Sequence, residues 1–141
     1  MKKLFCIATL TALLTACGAN SGDEDVLPET FAKLLAVQNY TAAIAQTVGE
    51  NAWGYSHPDA LVNFTEELIL TVKPMGAYKF HERVASEGIG ERYRKITYLI
   101  GFEHDPLLVV FSLYKPADKW EVTGITYSKN FRIDNGQITT Q

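Results

Sequence analysis

The second half of the chain alternates apolar and polar positions in runs of strand length. Between Arg92 and Tyr127, three runs rich in β-branched and aromatic residues are separated by short stretches containing Gly, Pro, Asp and Lys. This pattern predicts three successive β-strands. The middle run, 107–114, is apolar at almost every position, which is typical of a strand covered on both faces. In the first run, every second residue shares one apolar face: Ile96, Tyr98, Ile100 and Phe102.

Two further β segments flank these runs. Over 78–85, Tyr78, Phe80, Glu82 and Val84 alternate with Lys79, His81, Arg83 and Ala85. This alternation predicts a strand with one mainly apolar face and one charged face. Near the C-terminus, Asp-Asn-Gly at 134–136 separates two short apolar segments and predicts a small hairpin.

The last of the three central runs contains a change of phase. Trp120 and Val122 share one face, but Ile125 and Tyr127 fall one residue out of step with them. A β-bulge at Thr123-Gly124 would place all four on one face, and bulges favour glycine. We therefore expect a bulge within this strand.

Two helices are predicted before the strands. The first begins at Pro28, which suits an initial helical position, and ends at Gly49. Its buried face is expected to be polar only at Gln38. The second runs from a capping Ser56 to a stop at Pro74. The apolar stripe of the second helix comprises Leu61, Phe64, Leu68 and Val72.

Helices followed by a meander predict an α+β fold. We expect a single domain over 27–141, with two N-terminal helices packed on a curved four-stranded antiparallel meander. The 141 residues and the 47% apolar content suffice for one domain with a real core.

The N-terminus has the features of a targeting segment. Lys2 and Lys3 precede an apolar run over 4–14, which is too short to span a membrane as a helix. The run ends in Leu14-Thr15-Ala16-Cys17, which resembles the lipobox of bacterial lipoproteins. The resemblance covers residues 1–17 and implies that residues 1–16 are a signal peptide and that Cys17 is lipidated.

Processing at Cys17 and the residues that follow it lead to three expectations about the mature chain. Cys6 would be removed, so the mature chain would contain no free thiol and no cysteine nucleophile. Residues 17–26 are small, polar and acidic, and they are expected to form a flexible tether. The residue after Cys17 is Gly18 and not Asp, which resembles lipoproteins that are passed on to the outer membrane. The resemblance therefore implies an outer-membrane lipoprotein that faces the periplasm and carries several acyl chains.

Charge and cysteine content exclude several classes of protein. A formal charge of −3 with two Cys argues against a nucleic-acid-binding protein and against a disulfide scaffold. The basic cluster Arg92, Arg94 and Lys95, together with Arg83, is expected to lie on a solvated sheet face. A surface for phosphate or an acidic partner is the alternative.

The end of the meander suggests a family. The pattern Tyr114-Lys115-Pro116 followed by Lys119-Trp120, Val122, Ile125 and Tyr127 resembles the cystatin-like, nuclear transport factor two-like domains of small bacterial lipoproteins. This resemblance spans about 27–131 and implies a fold with a cavity between helix and sheet. Isomerases, dehydratases and binding modules share that fold and use this cavity. No catalytic residue of those enzymes matches a position here.

Candidate catalytic groups are sparse in the sequence. The three histidines, His57, His81 and His104, lack the spacing of a metal site, and no cofactor is predicted. His81 and Glu82 are adjacent on a predicted strand and point to opposite faces. Carboxylates are available for acid–base chemistry, but no arrangement distinguishes them.

Aromatic residues are the better candidates for a binding site. They would contribute either to the core or to a pocket or partner surface with polar groups at its rim. Those singled out are Trp53, Tyr55, Tyr78, Tyr98, Tyr114, Trp120 and Tyr127.

Three hypotheses follow from the sequence. The first is a non-catalytic, membrane-anchored envelope lipoprotein that binds a partner protein or an envelope component. The second is a small-molecule-binding module with an apolar pocket between the first helix and the sheet. The third is an isomerase or hydrolase on the same fold.

Overall fold

A computed structural model describes residues 22–48 and 56–140. Within these residues, a 3₁₀ turn at Asp23–Asp25 leads into three α-helices, and a second 3₁₀ turn at Lys73–Met75 follows the last of them. The helices are α1 (Val26–Ala36), α2 (Tyr40–Thr47) and α3 (Pro58–Val72). The strands are β1 (Tyr78–Ile89), β2 (Tyr93–Phe102), β3 (Pro106–Tyr114), β4 (Glu121–Ser128), β5 (Phe131–Asp134) and β6 (Gln137–Thr140).

Strands β1 to β4 form one antiparallel sheet in chain order, and β5 pairs with β6 in a separate hairpin. The α+β fold class is therefore confirmed, with the helices packed on one face of a curved meander. The helix-facing side of the sheet and the buried faces of the helices share one apolar core. Its largest fully buried side chains include Tyr98, Phe31, Phe111, Leu35 and Ile44.

The predicted first helix is interrupted, and this part of the prediction is wrong. Gln38 has a φ of 60°, and α1 and α2 lie on either side of it. The side chain of Asn39 accepts a hydrogen bond from the amide of Ala42 and caps α2. The apolar periodicity continues on both sides of Gln38 and concealed the break; its one sign was this polar residue on the expected buried face, which the structure leaves exposed. The predicted stop at Gly49 lies outside the described residues.

The predicted apolar face of β1 is also wrong. Register shifts between Tyr78 and Phe80, and between Arg83 and Ala85, break the two-residue alternation. Residues directly opposite each other in an antiparallel pair share a face. His81 and Arg83 are opposite Ile100 and Tyr98, and they therefore face the helices, while Phe80 is 48% exposed on the other side of the sheet.

Other local predictions are confirmed. In β4, Leu113 pairs with Val122 and Ser112 with Gly124, so Thr123 is the extra residue of a bulge. The C-terminal hairpin turns through Asn135 and Gly136, with φ values of 52° and 78°. Positive φ at both central residues is the requirement of a type I′ hairpin turn.

Part of the segment expected to be the tether forms regular structure. The tether was expected over 17–26, but Asp23–Asp25 form a 3₁₀ turn and Asp25 is only 2% exposed. Asp25 is ordered because its carboxylate is bound by side chains of the sheet, as described below. Within residues 22–48 and 56–140, no helix is both long and apolar enough to cross a membrane.

Candidate functional site

Polar side chains meet between α1 and the sheet, at the edge of the apolar core. We call this group the interlayer polar cluster. It comprises Asp25, Glu29, Tyr78, His81, Arg83 and Tyr98. One turn of helix separates Asp25 from Glu29, so both carboxylates point to the same side of α1. The register shifts in β1 turn His81 and Arg83 toward them.

The hydroxyl of Tyr98 lies between the two carboxylates. Its oxygen is 3.0 Å from Glu29 Oε1 and 3.2 Å from Asp25 Oδ1. A phenol has one proton and can donate to one acceptor at a time. The hydroxyl therefore supplies one donated hydrogen bond that the two carboxylates share, and Tyr98 itself is only 1% exposed.

His81 connects Glu29 to Tyr78. Its Nε2 lies 2.9 Å from Glu29 Oε2, and its Nδ1 is in hydrogen-bond contact with the Tyr78 hydroxyl. A neutral imidazole satisfies both contacts when Nε2–H donates to Glu29 and Nδ1 accepts from Tyr78. Lys33 Nζ is 3.9 Å from the same Glu29 oxygen.

Arginines of the sheet bind the acidic end of the cluster. Arg83 Nη1 donates to Asp25 Oδ2 at 2.9 Å and lies 3.7 Å from Glu24 Oε1. Arg94 Nε lies 3.5 Å from Glu24 Oε2. Two arginines thus face the carboxylates of Glu24 and Asp25, which fixes this segment to β1 and β2.

The cluster shifts the pKa values of three of its members. Burial alone would raise the pKa of Glu29, but hydrogen bonds from His81 and Tyr98 and the nearby positive charges outweigh it, so the pKa is lowered. Burial and the negative charge of Glu29 raise the pKa of Tyr78. The pKa of Tyr98 is raised strongly, first by burial and then by its hydrogen bond to Glu29.

These shifts suit a structural contact better than an acid–base site. A general base works best with a pKa near the working pH, whereas the pKa of Glu29 moves away from neutrality. Raised pKa values keep both phenols neutral. Within the described residues, every buried side-chain nitrogen and oxygen has a hydrogen-bond partner, and no group of three or more His, Cys, Asp or Glu side chains is placed to hold a metal.

The candidate residues from the sequence are distributed over several places. Tyr78 and Tyr98 belong to the interlayer polar cluster, and Tyr127 packs edge-to-face against Phe64 with ring centroids 5.3 Å apart. Trp120 is half-buried, with the ammonium of Lys115 at 5.7 Å from the centre of its ring. Tyr114 is 44% exposed. Cys17, Trp53 and Tyr55 lie outside the described residues.

The two carboxylates of the cluster are not among the candidate residues predicted from the sequence. Asp25 falls in the segment expected to be the tether, and Glu29 falls in the first turn of the helix predicted to begin at Pro28. Their spacing of four residues indicates that they lie on the same side of a helix. It does not identify their partners on β1 and β2, which are 52 to 73 positions away in the chain. The arginines of the basic cluster were expected on a solvated face, whereas Arg83 and Arg94 bind Glu24.

The space between α1 and the sheet is occupied by side chains. The ring of Phe31 contacts that of Phe111 edge-to-face at 5.4 Å, and Phe111 contacts Tyr98 at 6.1 Å. An open apolar groove of about 310 Å³ instead runs between α2 and α3. It is lined by Thr41, Ile44, Ala45, Leu61, Val62, Thr65, Glu66 and Ile69.

Comparison of the chain with protein-family models, with curated proteins and with solved structures gave no match. The fold and the cluster define the class of protein as a small α+β domain with helices on one face of an antiparallel meander.

Proposed function

We propose that this chain is a bacterial envelope lipoprotein, anchored through acylated Cys17, whose cystatin-like domain binds a partner protein without catalysis. The sequence Leu14-Thr15-Ala16-Cys17 after a short apolar run supports the anchor. The proposed location is the outer membrane, with the domain in the periplasm. The membrane is then the first partner, through the lipid.

The proposal that the domain has no catalytic activity is supported by its interior, which is filled with side chains whose polar groups are hydrogen-bonded. Side chains of Phe31, Tyr98 and Phe111 occupy the space where a pocket between the first helix and the sheet was considered. Glu29, the partly exposed carboxylate beside that space, has a lowered pKa and is bound by His81 and Tyr98. This supports a role that resides on the surface of the domain.

The groove between α2 and α3 is the surface that best fits a partner. Its lining is mainly apolar, and Val62 on its rim is 56% exposed. An apolar segment of an envelope protein would remove this surface from water at a gain of roughly 25 cal/mol per Å². The two helices that form the groove are tied to the core by Ile44 and Leu68.

A small apolar ligand is the second candidate occupant of this groove. The volume of about 310 Å³ lies at the lower end of the range for ligand pockets, roughly 300–1,000 Å³. The groove is open along one side, which favours a protein segment over an enclosed small molecule.

The test is affinity capture of the full-length protein from envelope membranes, with mass spectrometry of proteins, small molecules and residue 17. Val62→Asp places a charge on the rim of the groove, and Ile133→Asp is the matched control because Ile133 on β5 is 68% exposed. We expect one protein species to be captured by wild type and by Ile133→Asp and to be lost with Val62→Asp.

The other outcomes separate the candidates. A small molecule that is lost with Val62→Asp, with no accompanying protein, would establish the ligand-binding alternative. Equal capture by all three chains would remove the groove from the proposal. An unmodified Cys17 thiol in an intact chain would refute the anchor itself.

A further inference from the structure

One end of the sheet exposes apolar and aromatic side chains in register. Ile89 pairs with Tyr93 across β1 and β2, and Tyr93 pairs with Tyr114 across β2 and β3. Directly paired residues share a face, so the three form a row across the outer side of the sheet. Their exposed fractions are 79%, 37% and 44%. We call this row the hairpin-end patch.

The first residues that the structure describes lie at the same end of the sheet as this patch. The guanidinium of Arg94 lies 3.5 Å from the carboxylate of Glu24 and also donates a hydrogen bond to the carbonyl of Gly90. Gly90 follows Ile89 directly. The amide of Asp25 donates to the carbonyl of Gly22, which holds Gly22 at the same end. Gly22, the first described residue, is therefore held at the end of the sheet that carries the β1–β2 turn.

The length of the chain between Cys17 and Gly22 limits how far this end can lie from an anchor at Cys17. Five peptide units separate Cys17 from Gly22, and they span at most roughly 18 Å. Strand β2, with ten residues, extends roughly 30 Å to the opposite end of the sheet. The lipid would therefore hold the β1–β2 turn close to the bilayer and the β2–β3 turn away from it.

The residues around the patch have the chemistry of a membrane interface. Tyr and Trp side chains favour the headgroup region because one end is apolar and the other polar. Trp120 lies at the same end, since Tyr114 pairs with Glu121, but its ring packs against the apolar core. Arg92 Nη1 donates to the carbonyls of Lys115 and Pro116 at 3.1 Å and so fixes the β3–β4 loop there.

We propose that the hairpin-end patch rests on the bilayer that holds the lipid of Cys17, with Ile89 in the headgroup region. This inference depends on the proposed anchor. Acidic Glu87, Glu91 and Glu121 lie at the same end as the basic residues Lys95 and Lys115, so the contact depends on the apolar and aromatic side chains. Tethering provides a high effective concentration, and a weak contact then suffices to orient the domain.

The experiment uses the full lipidated protein in vesicles of phosphatidylethanolamine and phosphatidylglycerol that contain a headgroup-nitroxide lipid. The mature chain would have no other thiol, so Ile89→Cys and Leu70→Cys each accept one fluorophore. Leu70 is the matched control, because it is 74% exposed and lies near the opposite end of the sheet. It stands five residues before Met75, whose carbonyl accepts a hydrogen bond from the amide of His104 in the β2–β3 turn. We expect at least threefold stronger nitroxide quenching at position 89 than at position 70.

A label at position 89 replaces the side chain whose contact with the bilayer is tested, so a second pair of variants carries the label at a neighbouring position. The fluorophore is placed at Glu91→Cys, with Ile89 either retained or changed to Ser. We expect quenching at position 91 to fall severalfold when Ile89→Ser is present.

The outcomes distinguish this inference from the proposed function. Mass spectrometry of the same sample reports acylation of Cys17. Equal quenching at positions 89 and 70 in an acylated sample would overturn the orientation and leave the lipoprotein intact. Unchanged quenching at position 91 with Ile89→Ser would overturn the role of the patch. An unacylated Cys17 would overturn both proposals.

Discussion

The hydroxyl of Tyr98 on β2 lies 3.0 Å from the carboxylate of Glu29 on α1, although 69 positions separate the two residues in the chain. This contact joins the helical layer to the sheet at a place where Tyr98 is 1% exposed and the Glu29 side chain is 30% exposed. Burial of a hydroxyl or a carboxylate costs free energy unless the group is hydrogen-bonded, and this contact supplies part of the hydrogen bonding of both groups. The pair is therefore expected to contribute to the stability of the fold.

Removal of this hydroxyl is expected to destabilise the domain. Tyr98→Phe keeps the buried ring but leaves Glu29 Oε1 and Asp25 Oδ1 without their shared donor. Because both acceptors are carboxylates, we expect the free energy of unfolding to fall by about 1.5–3 kcal/mol, measured by urea denaturation. Tyr114→Phe removes an exposed hydroxyl and is expected to change stability by less than about 0.5 kcal/mol. Equal losses in the two variants would show that the shared hydrogen bond is not the cause.

Acid is expected to weaken the same cluster through Glu29. The pKa of Glu29 in the folded protein is below its ordinary value of 4.5, so the unfolded chain takes up a proton first as the pH falls. The stabilisation by ionised Glu29 is present above a pH of about 4.5 and is lost as the pH falls through the folded pKa. We expect Glu29→Gln to destabilise the protein at pH 7 and to have a smaller effect at pH 3, as measured by urea denaturation at both values. Glu67→Gln on α3 changes the net charge equally at an exposed place, and the same pH dependence in that variant would contradict the assignment.

Alkali is expected to act through Tyr98. The raised pKa of this phenol means that the unfolded chain ionises more readily than the folded one. Its contribution to stability is complete below a pH of about 10 and is lost as the pH rises toward the folded pKa. We expect part of the tyrosinate absorbance to appear only when circular dichroism reports unfolding, and this part to shrink in Tyr98→Phe. Full tyrosinate absorbance in a protein that is still folded would refute the prediction.

Much of the sheet follows from local patterns in the sequence. The alternation of Ile96, Tyr98 and Ile100 identifies the buried face of β2, because a strand repeats every two residues. The bulge at Thr123 is detectable because two apolar pairs fall out of phase by one residue. Asn135-Gly136 specifies its turn because both residues tolerate positive φ.

The polar cluster does not follow from such patterns. The face of β1 depends on two register shifts relative to β2, and neither shift leaves a glycine or a change of apolar phase as a signal. His81 was therefore compared with its neighbour Glu82, whereas its partner is Glu29, 52 positions earlier. Contacts of this kind depend on the docking of α1 on the sheet, which is a tertiary event.

The interruption between α1 and α2 leads to a last prediction. Gln38 adopts a φ of 60°, and this conformation costs a residue with a Cβ atom about 1 kcal/mol relative to glycine. Gln38→Gly is therefore expected to maintain or raise the free energy of unfolding, by up to about 1 kcal/mol. Gln46→Gly is the matched control, because Gln46 is also exposed but lies within α2, where glycine is expected to cost about 0.5–1 kcal/mol. Urea denaturation of the two variants should give changes of opposite sign, and a similar loss in both would mean that residues 26–47 can form the continuous helix that their apolar periodicity predicts.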